Sequence, residues 1–120
     1  MLIKQVENEL GITRETIRYY IQEGLISPVQ GENRYRDYSE EDIKQLKRIM
    51  ILRQLDVSVA DIRDILSGDV DICSVMAESK KHLDKKQMYV NDARSICEDL
   101  EKGNNNLFDP DLYFKDYNVL

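Results

Sequence analysis

Arginine, tyrosine and threonine side chains are concentrated in two short stretches of the sequence, and their chemistry suggests a binding partner. The first stretch carries Arg14, Thr16, Arg18 and Tyr19, and the second carries Arg34, Tyr35, Arg36 and Tyr38. Guanidinium groups bind phosphate oxygens through paired N–H donors, and tyrosine hydroxyls also contact phosphates. A run in which basic and aromatic residues alternate therefore predicts a surface that lies along a nucleic acid.

The rest of the chain offers little for catalysis. His82 is the single histidine, and no nucleophile or carboxylate arrangement accompanies it in the sequence. The chain contains no glycine-rich phosphate loop and no paired-carboxylate motif, so neither an enzyme nor a cofactor is predicted. Two cysteines, Cys73 and Cys97, are too few for a disulfide scaffold and are expected to be reduced thiols.

Length and hydropathy limit the architecture and the location. The 120 residues give room for one globular unit plus an appendage. No apolar run approaches the ~20 residues that a membrane helix needs, and the start of the chain has no secretory signal pattern. A cytoplasmic protein without a membrane partner is therefore predicted.

The charge balance sets a condition on any DNA-binding role. The formal net charge is −6, whereas neutralisation of phosphates by Lys and Arg is the usual source of affinity for DNA. Residues 1–67 carry 10 basic and 12 acidic side chains, a net charge of −2. The basic side chains must therefore gather on one face and leave the acidic ones elsewhere.

The first of the two stretches lies in a predicted helix-turn-helix. Ile3, Val6 and Leu10 fall on one face of a first helix, which Gly11 ends. Thr13 is a good N-cap for a second helix, which stops at Gly24. Because the start of a recognition helix meets base edges, Arg14 and Thr16 are predicted to contact bases, with Arg14 as the guanine reader. Tyr20 is predicted to belong to the core.

The second stretch lies in a predicted two-stranded hairpin over residues 25–38. Leu25 and Ile26 look strand-like before the turn, as do residues 34–36 after it. A third helix begins at Ser39, with Asp42 completing a capping box, and a short fourth helix ends near Gly68. The sequence thus predicts a mainly α fold, a winged helix-turn-helix of four helices with a small β-hairpin wing.

A long helix follows, and its apolar residues recur in steps of four and three, the pattern of a coiled coil. Such a stripe needs a partner, most economically a second copy of the chain. The residues predicted to make the homodimer are Met76, Leu83, Val90, Ala93, Cys97 and Leu100. The predicted divisions are residues 1–68 for DNA binding, 69–102 for dimerisation, and 103–120 for an aromatic, acidic tail. The tail is expected either to begin a further effector domain or to pack as a short segment against the partner protomer, and the first reading is favoured.

Residues 3–66 resemble the DNA-binding domain of the MerR family of transcription regulators. The resemblance is carried by Gly11-Ile12-Thr13, Thr16-Ile17-Arg18-Tyr19-Tyr20, Glu23-Gly24-Leu25-Ile26, Asn33-Arg34-Tyr35-Arg36-Asp37-Tyr38-Ser39 and Arg53-Gln54-Leu55. One departure concerns the wing, where family members often have Gly before the Tyr-Arg pair and this chain has Arg34. Gly31 is then the candidate for the tight bend.

The resemblance implies a mechanism and a set of contacts. Members of the family bind as homodimers, through an antiparallel dimerisation helix, to a promoter palindrome between widely spaced promoter elements. They bend and untwist the DNA so that RNA polymerase engages both elements. The residues that would contact the DNA backbone are Arg18, Tyr19, Arg34, Tyr35, Arg36, Tyr38 and Arg53.

Three alternatives remain open from the sequence. The net charge of residues 1–67 fits a protein-interaction module whose helix-turn-helix does not read DNA, and the winged fold also fits an excisionase-like architectural protein. Cys73 and Cys97 permit metal or thiol sensing between antiparallel chains, although two thiols fall short of a four-coordinate zinc site. The sequence does not identify the effector, the target promoter, or whether transcription is activated or repressed.

Overall fold

The helix-turn-helix forms as predicted. The structure, a computed structural model, describes residues 1–31, 34–103, 107 and 109–114. Helix α1 spans Ile3–Leu10 and helix α2 spans Arg14–Gln22, with the three-residue turn between them. Gly11 adopts a left-handed conformation at φ 66°, and Thr13 caps α2 by accepting a hydrogen bond from the Thr16 amide at 3.2 Å. Turn and cap together fix where the recognition helix begins.

Helix α2 ends in a Schellman motif, which explains the glycine that follows it. The Gly24 amide bonds the Ile21 carbonyl and the Leu25 amide bonds the Tyr20 carbonyl, both at 3.0 Å. Gly24 has a φ of 76°, a conformation that costs glycine little. Arg63 of a later helix then closes this end of α2 by donating to the Glu23 carbonyl at 2.8 and 3.1 Å.

The wing is a short antiparallel hairpin of strands β1 (Val29–Gln30) and β2 (Arg36–Asp37). The strand-like reading of Leu25 and Ile26 was wrong. Both residues are in the core, but they lie in the connection that precedes β1, so their apolar character reflects burial and not a sheet position.

The bend of the wing is also carried by a different residue from the one predicted. Arg34 is left-handed at φ 63°, whereas Gly31 does not adopt a positive φ. Gly31 serves close approach instead, because its amide bonds the Tyr35 carbonyl at 2.7 Å and a Cβ there would meet the same oxygen at 3.1 Å. Arg34 thus occupies the position where the family often has glycine. Its left-handed backbone conformation is less favourable than the same conformation would be for glycine.

Two further helices complete the DNA-binding unit. Helix α3 spans Glu40–Gln54 and begins with the predicted capping box, in which Ser39 and Asp42 each accept from the other's amide. Helix α4 spans Val59–Ser67 and is capped by Ser58. The buried apolar residues are Val6, Ile17, Tyr20, Leu25, Ile26, Tyr38, Leu46, Ile49, Leu52, Val57 and Ile62. They come from helices α1 through α4, their connections and the end of the wing, and they form one core.

The long fifth helix, α5, spans Ile72–Glu101, and a short 3-10 helix covers Pro110–Leu112. The mainly α fold with a hairpin wing and a long helix is therefore confirmed. The chain forms two compact units, Met1–Met76 and Ala77–Leu120, so their boundary falls within α5. In the part of the chain that the structure describes, no helix is both long enough and apolar enough to span a membrane.

Candidate nucleic-acid interface

One end of helix α2 presents the predicted base-contacting residues. Arg14 and Thr16 lie in the first turn of the helix and are partly exposed. The Thr16 hydroxyl is 2.8 Å from the Thr13 hydroxyl, which fixes its rotamer. The Arg14 Nε donates to the Glu7 carboxylate of α1 at 2.6 Å. Both side chains are thus held by neighbours before any partner binds.

A groove beside α2 collects most of the residues predicted to contact the DNA backbone. We call it the wing groove; it has a volume of about 350 Å³ and is lined by Leu2, Ile3, Lys4, Arg18, Arg34, Tyr35, Arg36 and Tyr38. It therefore brings the basic end of the wing together with the middle of α2 and the start of α1. Four of these residues are cations and none is a carboxylate, which meets the condition that the net charge imposes.

The cations of the wing groove differ from Arg48 and Arg63 in their partners. None of Lys4, Arg18, Arg34 and Arg36 forms an ion pair with a residue that the structure describes. By contrast, Arg48 is paired with Glu41 at 3.0 Å and Arg63 with Glu23 at 2.7 Å. The wing groove thus holds four cations without a described acidic partner, and this concentration of positive charge attracts a polyanion.

Tyr38 has a different position from the one that the sequence predicted. It was expected as a wing side chain at the DNA surface, but only 2% of it is exposed and it belongs to the hydrophobic core. The correction has a simple cause: Tyr38 follows β2 and leads into α3, so its ring packs beneath the wing. The side chain still lines the floor of the wing groove.

The Tyr38 hydroxyl is chemically unusual. It is buried and has no hydrogen-bond partner among the described residues. Burial raises the pKa of this hydroxyl above its ordinary value of about 10, although the nearby charges of Arg36 and Arg18 act to lower it. The buried hydroxyl thus stays neutral at physiological pH, within reach of the charges of Arg36 and Arg18, which lower its pKa, and of Asp42, which raises it.

A second groove lies on the other flank of α2. It has a volume of about 340 Å³ and is lined by Glu15, Thr16, Tyr19, Tyr20 and Arg53. Tyr19 is 45% exposed, whereas Tyr20 is buried as predicted. Arg53 donates to the Val57 carbonyl at 3.0 Å, which holds its guanidinium beside Thr16 and Tyr19. The structure therefore brings Arg53, predicted from α3, to the recognition helix.

Sequence reasoning missed two residues that position this surface. Glu7 and Glu23 looked like ordinary surface acids, yet one holds Arg14 and the other holds Arg63. The Glu7–Arg14 pair spans two helices, so helical spacing within one element could not reveal it. Lys44 is exposed on α3 and lines neither groove.

The predicted dimerisation residues are unevenly exposed in the single chain. Leu83 and Val90 are 38% and 52% exposed, and Ala93 and Leu100 are half-buried. Met76 packs against the core of the first unit. These exposures fit a helix face that is not covered within one chain, but the dimer itself stays a prediction.

The two cysteines are separate and exposed. Cys73 and Cys97 are both free thiols, near opposite ends of α5. Among the residues that the structure describes, no group of three or more His, Cys, Asp and Glu side chains could hold a metal ion. A site using both thiols would therefore need two chains.

Comparisons with known proteins identify the family. Residues 1–69 match the family described as "MerR HTH family regulatory protein". The chain is 37% identical over 86 residues to the HTH-type transcriptional regulator ZntR homolog of Haemophilus influenzae, covering 71% of this chain and 64% of that protein. It is 30% identical over 107 residues to the HTH-type transcriptional regulator HmrR of Rhizobium leguminosarum bv. viciae, covering 83% of each.

A shorter match extends the same picture. The chain is 43% identical over 60 residues to the HTH-type transcriptional regulator AdhR of Bacillus subtilis, covering 49% of this chain and 43% of that protein. The similarity to AdhR and to the ZntR homolog thus spans less than two thirds of those proteins. The match of the family model includes the helix-turn-helix, the wing and both grooves. The chain belongs to the MerR family of helix-turn-helix regulatory proteins.

Proposed function

We propose that this protein is a sequence-specific DNA-binding transcription regulator that binds a promoter palindrome as a homodimer and distorts the DNA. The observation that carries the proposal is the wing groove, where four cations without described ion-pair partners lie beside the recognition helix. An acidic protein in which the described lining of such a groove holds four cations and no carboxylate has a surface suited to a phosphate backbone.

The contacts follow from the two grooves. In the wing groove, Arg18 and Arg36 neutralise a backbone phosphate, and the buried Tyr38 ring supports the floor of the groove. On the other flank of α2, Tyr19 and Arg53 hold a second phosphate. Contacts of this kind set the register of α2 on the duplex without reading sequence. The start of α2 then carries Arg14 and Thr16 to the base edges.

The homodimer and its symmetry rest on helix α5. The exposed Leu83 and Val90 support a face that a second copy covers in an antiparallel arrangement. A two-fold dimer presents two recognition helices to the halves of an inverted repeat. Contacts along both wings would offset a deformation of the duplex that costs a few kcal/mol, and RNA polymerase responds indirectly, through the altered DNA. We place this activity in the cytoplasm.

The proposal is tested by selecting bound fragments from random DNA at physiological salt, followed by a charge comparison. Arg18→Ala should weaken binding to every sequence alike, on the order of tenfold. It should also reduce the slope of log affinity against log salt by about 1.8 per dimer, because each half-site loses one phosphate contact. Titrations at four salt concentrations measure both quantities.

Arg48→Ala is the matched control, since it removes the same charge from a guanidinium that is paired with Glu41 on α3. Its salt slope should stay at the wild-type value. Failure of the wild type to enrich any inverted repeat would contradict the proposal and favour the protein-interaction module. Enrichment of bent but unrelated sequences would favour an architectural DNA-bending protein.

A further inference from the structure

Arg14 is the only basic residue of helix α2 that has an acidic partner in the described part of the chain. Its Nε donates to the Glu7 Oε1 at 2.6 Å, a short charge-assisted hydrogen bond between α2 and α1. The side chains of Arg14 and Glu7 are 41% and 26% exposed. The pair therefore lies at the surface, but its carboxylate is the more enclosed member.

The geometry of this bond leaves the two terminal nitrogens of the guanidinium available to contact a base. An arginine side chain carries five N–H donors in a rigid fork. Glu7 accepts a hydrogen bond from the Nε–H, and the terminal nitrogens form none with a described residue. A bidentate contact with guanine O6 and N7 requires two N–H donors on one edge, and the two terminal nitrogens can supply them.

The second arginine of α2 provides an internal comparison. Arg18 lies four residues after Arg14, about one helical turn further on, and has no ion-pair partner among the described residues. A phosphate contact tolerates a mobile cation, because it needs charge more than direction. Reading a base needs a fixed direction, and a tether reduces the side-chain entropy that binding must remove.

We infer that Glu7 is a positioning residue that holds Arg14 ready for base recognition and thereby sets sequence discrimination; this rests on the proposed function. Glu7 acts in two ways. It orients the guanidinium, which favours the correct base. Its negative charge also lies near the DNA surface and is repelled by the phosphates. On sequences that give Arg14 no base partner, nothing compensates for this repulsion, so binding to them is disfavoured.

The test compares two variants that remove the same charge from the same helix. Glu7→Gln weakens the tether, whereas Glu9→Gln neutralises an exposed carboxylate of α1 that forms no ion pair with a described residue. Each is titrated against the selected palindrome, against palindromes with one guanine replaced, and against unrelated DNA. We expect Glu7→Gln to lower discrimination at one guanine position about tenfold, while its affinity for unrelated DNA changes only as much as that of Glu9→Gln.

A double variant separates positioning from a structural role. In an Arg14→Ala background, which should lose discrimination at the same guanine, Glu7→Gln should have no additional effect on discrimination. A purely structural clasp would instead lower the thermal midpoint and weaken binding to all sequences together.

The outcomes distinguish the inference from the function beneath it. A wild-type protein without any sequence preference overturns both. If the wild type has a sequence preference and Glu7→Gln preserves it at every position, the positioning role alone is overturned. The same conclusion follows if Glu7→Gln lowers discrimination equally in the presence and absence of Arg14.

Discussion

The two units of this chain differ in how they bury their apolar side chains. Among the described residues, all eleven buried hydrophobic side chains belong to Met1–Met76, where they form one core. In Ala77–Leu120 the buried residue among those described is Ser79, while the predicted dimerisation residues Leu83 and Val90 are 38% and 52% exposed. The first unit therefore supplies its own core, and the second presents an apolar helix face that is left open.

This difference indicates that the two units depend on a partner to different degrees. A unit that is packed by itself can hold Arg14, Arg18 and the wing in fixed positions, because the core beneath them does not depend on a partner. A helix that exposes its stripe gains stability only when another surface covers it. DNA recognition and assembly thus depend on different parts of the sequence, and substitutions should affect them separately.

The largest effect is expected from truncating the core of the first unit. Leu46 is fully buried in α3, and Leu46→Ala should lower the free energy of unfolding by about 2–5 kcal/mol. Because this core lies within one chain, the loss should appear at every protein concentration. Urea denaturation at two concentrations tests both statements, and a loss below about 1 kcal/mol would contradict a close-packed core at this position.

The next effect concerns the open face of α5. Leu83→Asp should raise the dissociation constant of the homodimer at least about a hundredfold, because an unpaired carboxylate would be buried in the predicted seam. Met88→Asp is the matched control, since Met88 is more exposed than Leu83 but is not one of the predicted dimerisation residues. Sedimentation equilibrium measures the association. Equal dissociation in both variants would mean that another face of α5 makes the contact.

Much of this fold follows from local signals in the sequence. The limits of α1, α2 and α3 were predictable because Gly11, Thr13 and Ser39 carry turn and cap chemistry that acts over a few residues. The left-handed Arg34 was not predicted, because the chain carries arginine where glycine would have signalled this conformation, and Gly31 nearby offered an alternative.

The candidate site was predictable in its membership but not in its geometry. Sequence pattern and family resemblance selected Arg18, Arg34 and Arg36, and the structure brings them into one groove. The burial of Tyr38 depends on packing between the end of the wing and the helical core, so the spacing of residues did not show it. The tether between Glu7 and Arg14 was missed for the same reason, because it is a contact between two elements.

The smallest effect is expected at Tyr38, where the packed unit meets the groove. Tyr38→Phe removes a buried hydroxyl that has no partner among the described residues, so the free energy of unfolding should stay constant or rise by up to about 1 kcal/mol at neutral pH. Affinity for DNA should stay near the wild-type value, because the buried hydroxyl does not reach a phosphate. For stability, Tyr35→Phe is the control, since Tyr35 lines the same groove but is 70% exposed.

The pH dependence provides a sharper measure of the same hydroxyl. Burial raises the pKa of Tyr38 in the folded state above its unfolded value of about 10, so the folded protein holds this proton after the unfolded chain has released it. The stability that the neutral phenol contributes is complete below pH 10 and is lost as the pH rises from there through the folded-state pKa. Urea unfolding between pH 8 and pH 11 should therefore show a steeper decline for the wild type than for Tyr38→Phe, with Tyr35→Phe following the wild type. Parallel curves for all three proteins would mean that the Tyr38 hydroxyl is solvated like that of the exposed Tyr35, and not buried beneath the wing groove.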